Sequence, residues 1–496
     1  MKGTENLDRA EREQICQQLR TRIGPEKVKD DDLVLTTYSF DVSATPPQRP
    51  AFVVLPENRD DVAAALQTAN EHKMGVSVMS GGVNGVGACI TSQDGIVLDL
   101  HRMDRIIDIN TDSGYAVIEP GVNFDRFTAA LAEKGFRTGI PTAPGGASPV
   151  GNFLSRPSGS LATRHLDLIA DLEVVFPDGT TLNTGSSAFP HAGSSLRYGP
   201  FPDLTGLFCC AYGTLGVVTK AAVKIYPINE ANLVHLAAFD KFEDAVDYVK
   251  DLTNHNIPEH SIIWNWQLFK CFEVGLVNGE YRIPQELRLD PRKPPEGIPY
   301  NIVSTFMSGY EDTMRSNERV CRRVAAKYGG HVLTRKEAQA VVPGGVAGWT
   351  ELYGKYHQVE PTFFGLGRYS VWIVFTEPKV AKELEKWIVE EFAKFNTPPI
   401  CYYSQPFDFG RSMFFRIFCF PDPKNQGLVN HIVDSFRGLF DVAMERYGAV
   451  PMRFKGGFPP LELTGGYANA LTRVKNAFDP HNILSPNFGL FPEVKP

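Results

Sequence analysis

Cysteine pairs, net positive charge and long apolar runs are scarce in this chain, and each scarcity removes a class of protein. The eight cysteines are scattered, with no C-x-x-C pair and only Cys209 and Cys210 adjacent. Neither a disulfide scaffold nor a zinc knuckle is indicated, and the thiols are expected to be buried. Lysine and arginine number 50 against 57 aspartates and glutamates, so the net charge of -7 offers no field for gathering nucleic acid. The longest segments free of charged residues cover 138–155, 179–196 and 204–219; glycine and proline break the first two, and all fall short of the ~20 residues that span a bilayer. No nucleic-acid or membrane partner is expected. The opening MKGTENLDRAEREQ carries both signs of charge and no apolar stretch of a secretory signal, so a cytoplasmic location is expected.

What is present suffices for two to three domains, since 496 residues are 43% hydrophobic and a domain takes roughly 150 residues. Apolar spacing predicts a charged opening helix near Asp8–Ile23, a strand at Ala51–Pro56, a helix at Asp61–His72 and strands at Gly75–Met79, Gly95–Leu100 and Tyr115–Glu119. A helix at Phe124–Lys134 and strands at Leu172–Phe176 and Val217–Tyr226, the former followed by the turn Pro177-Asp178-Gly179, complete a strand-rich part over residues 1–227. From 228 to 450 the pattern changes to longer helices, such as Phe242–Leu252, Asp312–Tyr328 and Val380–Phe395, with aromatic strands at Tyr369–Thr376 and Met413–Phe420. Residues 451–496 hold a helix, Gly466–Phe478, ahead of the proline-punctuated DPHNILSPNFG. The class is α+β.

The segment Ser80-Gly81-Gly82-Val83-Asn84-Gly85-Val86-Gly87-Ala88 follows a strand and packs four glycines into the eight residues from Gly81. Glycine tolerates positive φ and carries no Cβ, so backbone N–H groups there can approach a phosphate closely. The spacing is not the dinucleotide fingerprint, because Ile90 stands where a third glycine should be, and it lacks the Gly-Lys-Ser/Thr of a P-loop. Taken alone, the loop reads equally as a turn between two strands. Further glycine segments follow: EPGV at 119–122, PGGASPVGN at 144–152 and YGTLGVVT at 212–219.

In order and spacing, VVLPENRDDV, the Ser80–Ala88 loop, GIVLDLHRMDRII, YAVIEPGV, GGASPVGN, LEVVFPDGTTLNTG, GTLGVVTK and the terminal DPHNILSPNFG resemble the vanillyl-alcohol oxidase / p-cresol methylhydroxylase family of FAD-linked oxidoreductases. The resemblance implies an FAD-binding domain of two parts over 1–227, an α+β cap on an antiparallel sheet over 228–450, and a return of 451–496 to the FAD domain. It would set Ser80, Gly81, Gly82, Val83, Asn84, Gly85 and Val86 around the pyrophosphate. Pro144, Gly145, Gly146, Gly151, Asn152 and Leu161 would form a second contact segment, Gly213, Gly216 and Val217 would border the adenine or ribitol, and Pro486 and Asn487 would approach the isoalloxazine.

The family commonly links its flavin through a loop histidine or a cap histidine or tyrosine. Here Val83 or Asn84 stands at the loop position, and phenylalanines Phe414 and Phe415 occupy the cap segment, so noncovalent FAD is expected; Tyr402 or Tyr403 would be the remaining tyrosyl route. Of the residues that hold a phenolate in phenol-oxidising members, Arg453 is kept while Val86 and Met452 replace tyrosines, and Arg164 or His165 takes the place of an acid near flavin N5. Two cations at one flavin edge favour an anionic substrate. His165 is the candidate base, with Arg164, Arg453 and Tyr403 beside it and Arg416, Tyr356 and His357 as further cap candidates.

The resemblance therefore implies an enzyme, an oxidase or dehydrogenase that takes hydride from an alcohol or activated C–H carbon of a small aromatic or acidic substrate, with oxygen or another acceptor as reoxidant and a homodimeric assembly. The alternatives are a 2-hydroxy-acid dehydrogenase of the D-lactate/glycolate type and a flavin-binding protein without catalysis. No metal is expected: His431 stands alone, and the Gly-Asp-Gly-Asn-x-His stretch of the 2-hydroxy-acid branch is missing.

Overall fold

The computed structural model describes residues 7–41, 45–83, 87–139, 143–156, 167–199, 201–268, 275–277, 280–282, 284–342, 345, 370–394, 400–419, 425–452 and 464–486. The chain opens with helix Arg9–Ile23, whose N-cap Asp8 accepts the Glu11 N–H and whose buried stripe is Ile15, Cys16, Leu19 and Ile23. It packs beside helix Arg59–Glu71, capped by Asn58. These helices cover a four-stranded sheet in the order Val28–Lys29, Phe52–Val54, Ile96–Asp99, Val76–Met79, in which the last three run parallel. Its two central strands, Phe52–Val54 and Ile96–Asp99, are buried along their length, as expected for a parallel sheet covered on its faces.

A second sheet is antiparallel, ordered Ile106–Asn110, Tyr115–Ile118, Val217–Lys224, Ile169–Val175, Thr181–Asn183. Helices Phe124–Ala132 and Pro149–Leu154 pack against it through Phe124, Phe127, Val150 and Phe153. The glycine-rich segments lie at strand ends of these two sheets: the segment at 80–83 follows strand Val76–Met79, and that at 212–216 leads into strand Val217–Lys224.

The third sheet has eight strands, ordered His331–Val332, Ala231–Phe239, Asn301–Gly309, His260–Asn265, Ile400–Phe407, Ser412–Cys419, Ser370–Thr376, Val450–Pro451. Both of its faces are apolar. One is roofed by helices Phe242–Asn254, Glu311–Lys327, Pro378–Lys394 and Gln426–Tyr447, with Trp372, Tyr402, Phe415 and Phe440 in the core between. The other carries Trp264, Tyr403, Phe407, Phe414 and Phe418. This division follows from strand periodicity: Tyr402 and Tyr403, like Phe414 and Phe415, must point to opposite faces. No described helix is long and apolar enough to cross a membrane.

Two devices tie the parts together. Helix Gly466–Phe478 returns the chain to the first two sheets, where Phe478 lies 4.8 Å from Phe176 and the Val76 backbone is clasped by Ile483 and Ser485, each at 2.7 Å. At the eight-stranded sheet, Arg137 forms a forked pair with Glu259 at 2.6 and 2.8 Å, both side chains at most 5% exposed, and Ser308 donates to the same carboxylate.

Candidate functional site

A cleft of about 1310 Å³, partly open to solvent, runs between the first two sheets and ends at the eight-stranded one. Ser80, Gly81, Gly82 and Val83 line it from the end of strand Val76–Met79; Gly151 and Asn152 from helix Pro149–Leu154; Gly213, Gly216 and Val217 from the entry to strand Val217–Lys224. Three segments far apart in sequence thus meet in one wall. Glycines at these positions let the segments of the wall approach one another closely. A Cβ on Gly81 would lie 2.7 Å from the Ser148 nitrogen, one on Gly151 2.7 Å from Ser80 Oγ, and one on Gly216 2.4 Å from Val174 Cγ1. Gly82 and Gly213 have φ of +63° and +74°. The Asn152 Oδ1 is buried there without a hydrogen-bond partner among the described residues, an acceptor placed for a ligand.

Pro144, Gly145 and Gly146 do not line the cleft; Ala143 and Ala147 do. The physical reason is local. The Gly145 carbonyl accepts the Asp125 N–H, and a Gly145 Cβ would lie 2.0 Å from the Asp125 carboxylate, so this turn faces helix Phe124–Ala132 and leaves its flanking alanines toward the cavity. Asn84, Gly85, Val86, Leu161, Arg164, His165, Tyr356, His357, Arg453 and Asn487 lie outside the described residues.

Tyr403 is fully buried and does not reach the cleft, but its neighbour does. Arg416, paired with Tyr403 in register, donates from Nη1 to the Tyr403 hydroxyl at 3.2 Å, sits 4.4 Å over the Phe418 ring and extends into the cleft wall. Among the described lining residues it is the one with a formal charge. Tyr402 points the other way, donating its hydroxyl to Glu385 under helix Pro378–Lys394, so a tyrosyl link through it is excluded by the pleat. On the cleft-side face His260 is held neutral, because burial pushes its pKa down to about 4. Met452 is buried on that face as well.

Sequence reasoning passed over Cys89, Ser148, Phe208 and Tyr212, all in the lining. Tyr212 carried a signal, since it precedes the glycine of YGTLG and adopts φ +50°. Arg416 carried a stronger one as the lone charge in the aromatic run MFFRIFCF. Among the described residues no group of histidine, cysteine or acidic side chains is arranged to hold a metal.

The cleft, lined in part by glycines and set between a parallel and an antiparallel sheet with a third sheet at its end, is suited to a large ligand approached by main chain, and residues 50–185 match the FAD binding domain family. The chain is 32% identical over 257 residues to 1'-carboxy-chondrochloren decarboxylase of Chondromyces crocatus, covering 50% of this chain and 47% of that one. It is 24% identical over 489 residues to glycolate oxidase subunit GlcD of Bacillus subtilis, covering 95% and 96%. The fold matches 4-ethylphenol oxidase from Gulosibacter chungangensis with a TM-score of 0.80 at 19% identity over 99% of both chains, and p-cresol methylhydroxylase with 0.79 at 21% over 98% of both. The chain thus carries an FAD binding domain, with FAD as its cofactor, and has the fold of p-cresol methylhydroxylase and 4-ethylphenol oxidase over its whole length.

Proposed function

We propose that this flavoenzyme removes hydride from an alcohol or activated C–H carbon of a small aromatic or acidic substrate, with oxygen as the reoxidant. The observation that carries the reading is the meeting of a backbone-walled cofactor cleft with a buried arginine from the eight-stranded sheet. Bound FAD supplies the hydride acceptor. The chain's part is to position the donor carbon, exclude water and take up a proton. In this reading residues 1–227 and 451–496 hold FAD, and 228–450 form the cap. Arg416, with Arg164 and Arg453, recognises an anionic group through charge-assisted hydrogen bonds, and His165 accepts the substrate proton. An acidic substrate is supported by the carboxy group named in the Chondromyces relative. The reading further takes FAD as noncovalent and the enzyme as a cytoplasmic homodimer.

A second reading, oxidation of a 2-hydroxy acid, is favoured by the near full-length match to the glycolate oxidase subunit. Anaerobic titration separates the two. Purified protein should show the visible band of oxidised flavin, release it to the supernatant on acid precipitation, and bleach with benzylic alcohols or 4-alkylphenols. Bleaching by D-lactate or glycolate alone would establish the second reading, and bleaching by neither class would leave a flavin-binding protein without this catalysis.

A further inference from the structure

Behind the cleft lies an ion pair with no exposure to solvent. Lys475 and Asp479, one turn apart at the end of helix Gly466–Phe478, have side chains 0% exposed and meet at 2.5 Å. Lys475 Nζ also donates to the carbonyls of Thr214 at 2.8 Å and Leu484 at 3.0 Å, while Asp479 accepts the N–H groups of Ile483 and Leu484 at 2.9 and 2.8 Å. These contacts fall on the Tyr212–Gly216 segment of the cleft wall and on the strap at 483–486 that holds a second wall segment in place. Thr214 stands between Gly213 and Gly216 in the wall. Ile483 and Ser485 clasp Val76, the first residue of the strand that delivers Val78 and Ser80 to the cavity, and the Ser485 hydroxyl reaches the Tyr212 carbonyl at 3.4 Å.

Filling such a place with charge is an expensive choice. Two ions taken out of water lose hydration that their mutual attraction only partly returns, so an apolar pair of the same volume would serve packing at least as well. Direction is what the charged pair adds: three segments are fixed relative to one another by hydrogen bonds that apolar side chains do not make.

We infer that Lys475 and Asp479 are positioning residues for FAD, coupling cofactor binding to the order of the C-terminal strap at 483–486. The inference rests on the FAD reading of the cleft. Coupling is reciprocal: if the strap holds the Tyr212–Gly216 loop in its binding geometry, bound FAD must in turn hold the strap.

The test replaces both charges together, Lys475→Met with Asp479→Leu, so that no lone buried ion remains. Apo-protein is titrated with FAD and followed by flavin fluorescence and visible circular dichroism. The expected result is FAD binding weakened at least about tenfold and an altered dichroism of the bound flavin, with the far-ultraviolet spectrum of the apo-protein unchanged. A folded double variant with native FAD affinity and flavin signal would overturn the inference. Hydrogen exchange on the unmodified protein tests it without any variant: the amides of Ile483, Leu484 and Ser485 should slow at least about tenfold when FAD is added, and equal rates in both states would sink it. Unmodified protein that takes up no FAD would overturn the reading of the cleft itself, and the coupling with it.

Discussion

The two sides of the cavity are made of different material. On the cofactor side Gly81, Gly82, Gly151, Gly213 and Gly216 leave main chain as the surface. On the cap side the eight-stranded sheet presents packed aromatics, Tyr403, Phe407, Phe414 and Phe418, and sends one described side chain, Arg416, into the cleft. A backbone wall recognises what is common to every FAD molecule. A side-chain wall can be rebuilt residue by residue while the sheet beneath it stays, which is where selectivity among substrates has room to differ.

Four substitutions or conditions probe that contrast. The largest effect falls in the cap core: Trp372→Ala, which empties a fully buried site stacked 4.9 Å from Phe440, should cost about 3–5 kcal/mol in urea unfolding while FAD affinity of the folded protein stays within about twofold. A parallel collapse of FAD affinity would show that the two sides are not separable. Next, Gly81→Ala pushes a methyl group against the Ser148 backbone, and FAD affinity should fall about 100-fold, or roughly 2.7 kcal/mol, with little change in apo-protein melting. A variant that keeps its flavin through gel filtration would refute a main-chain wall at this position.

The third probe is acid. Burial lowers the His235 pKa to about 4, against an ordinary 6.5, with Glu318 opposing the shift and Arg322 adding to it. The folded state therefore resists a proton that the unfolded chain accepts, so stability is complete above about pH 6.5 and is lost as pH falls toward 4. Between pH 7 and pH 5 this residue should withdraw about 2 kcal/mol, and His235→Leu should flatten that part of the profile; an unchanged slope would acquit it. The smallest effect is chemical. Arg416→Gln should raise KM for a carboxylate or phenolate substrate about tenfold and weaken sulfite binding to the flavin, leaving FAD content untouched. If neither moves, the anionic reading of the cap side fails.

The same contrast explains what could be read from the sequence. Helices Arg9–Ile23 and Gly466–Phe478 and strand Val76–Met79 were visible within a residue or so, because caps and apolar periods are local. The glycine loops were visible too, since a missing Cβ is written directly in the residue type. The outward turn of Pro144, Gly145 and Gly146 was not, because it depends on Asp125, a neighbour only in the fold. Of the eight-stranded sheet the strands near Tyr369–Thr376 and Met413–Phe420 were visible, whereas Ala231–Phe239, His260–Asn265 and Asn301–Gly309 were not, because they are largely buried on both faces and lack the alternation that marks a half-exposed strand. Tyr403 and Arg416 were both named from the sequence, with Tyr403 set first; in the fold the tyrosine is buried and the arginine beside it reaches the cleft, an order that depends on which strand neighbour faces the cavity.

The forked pair between Arg137 and Glu259 has a consequence for traffic. It joins a strand beside the cofactor half to the edge of the cap core, with both groups dry. Parting these two segments would break both hydrogen bonds of the fork and admit water to groups that pack dry. Traffic of reactants that required these segments to swing apart would have to break this pair each time.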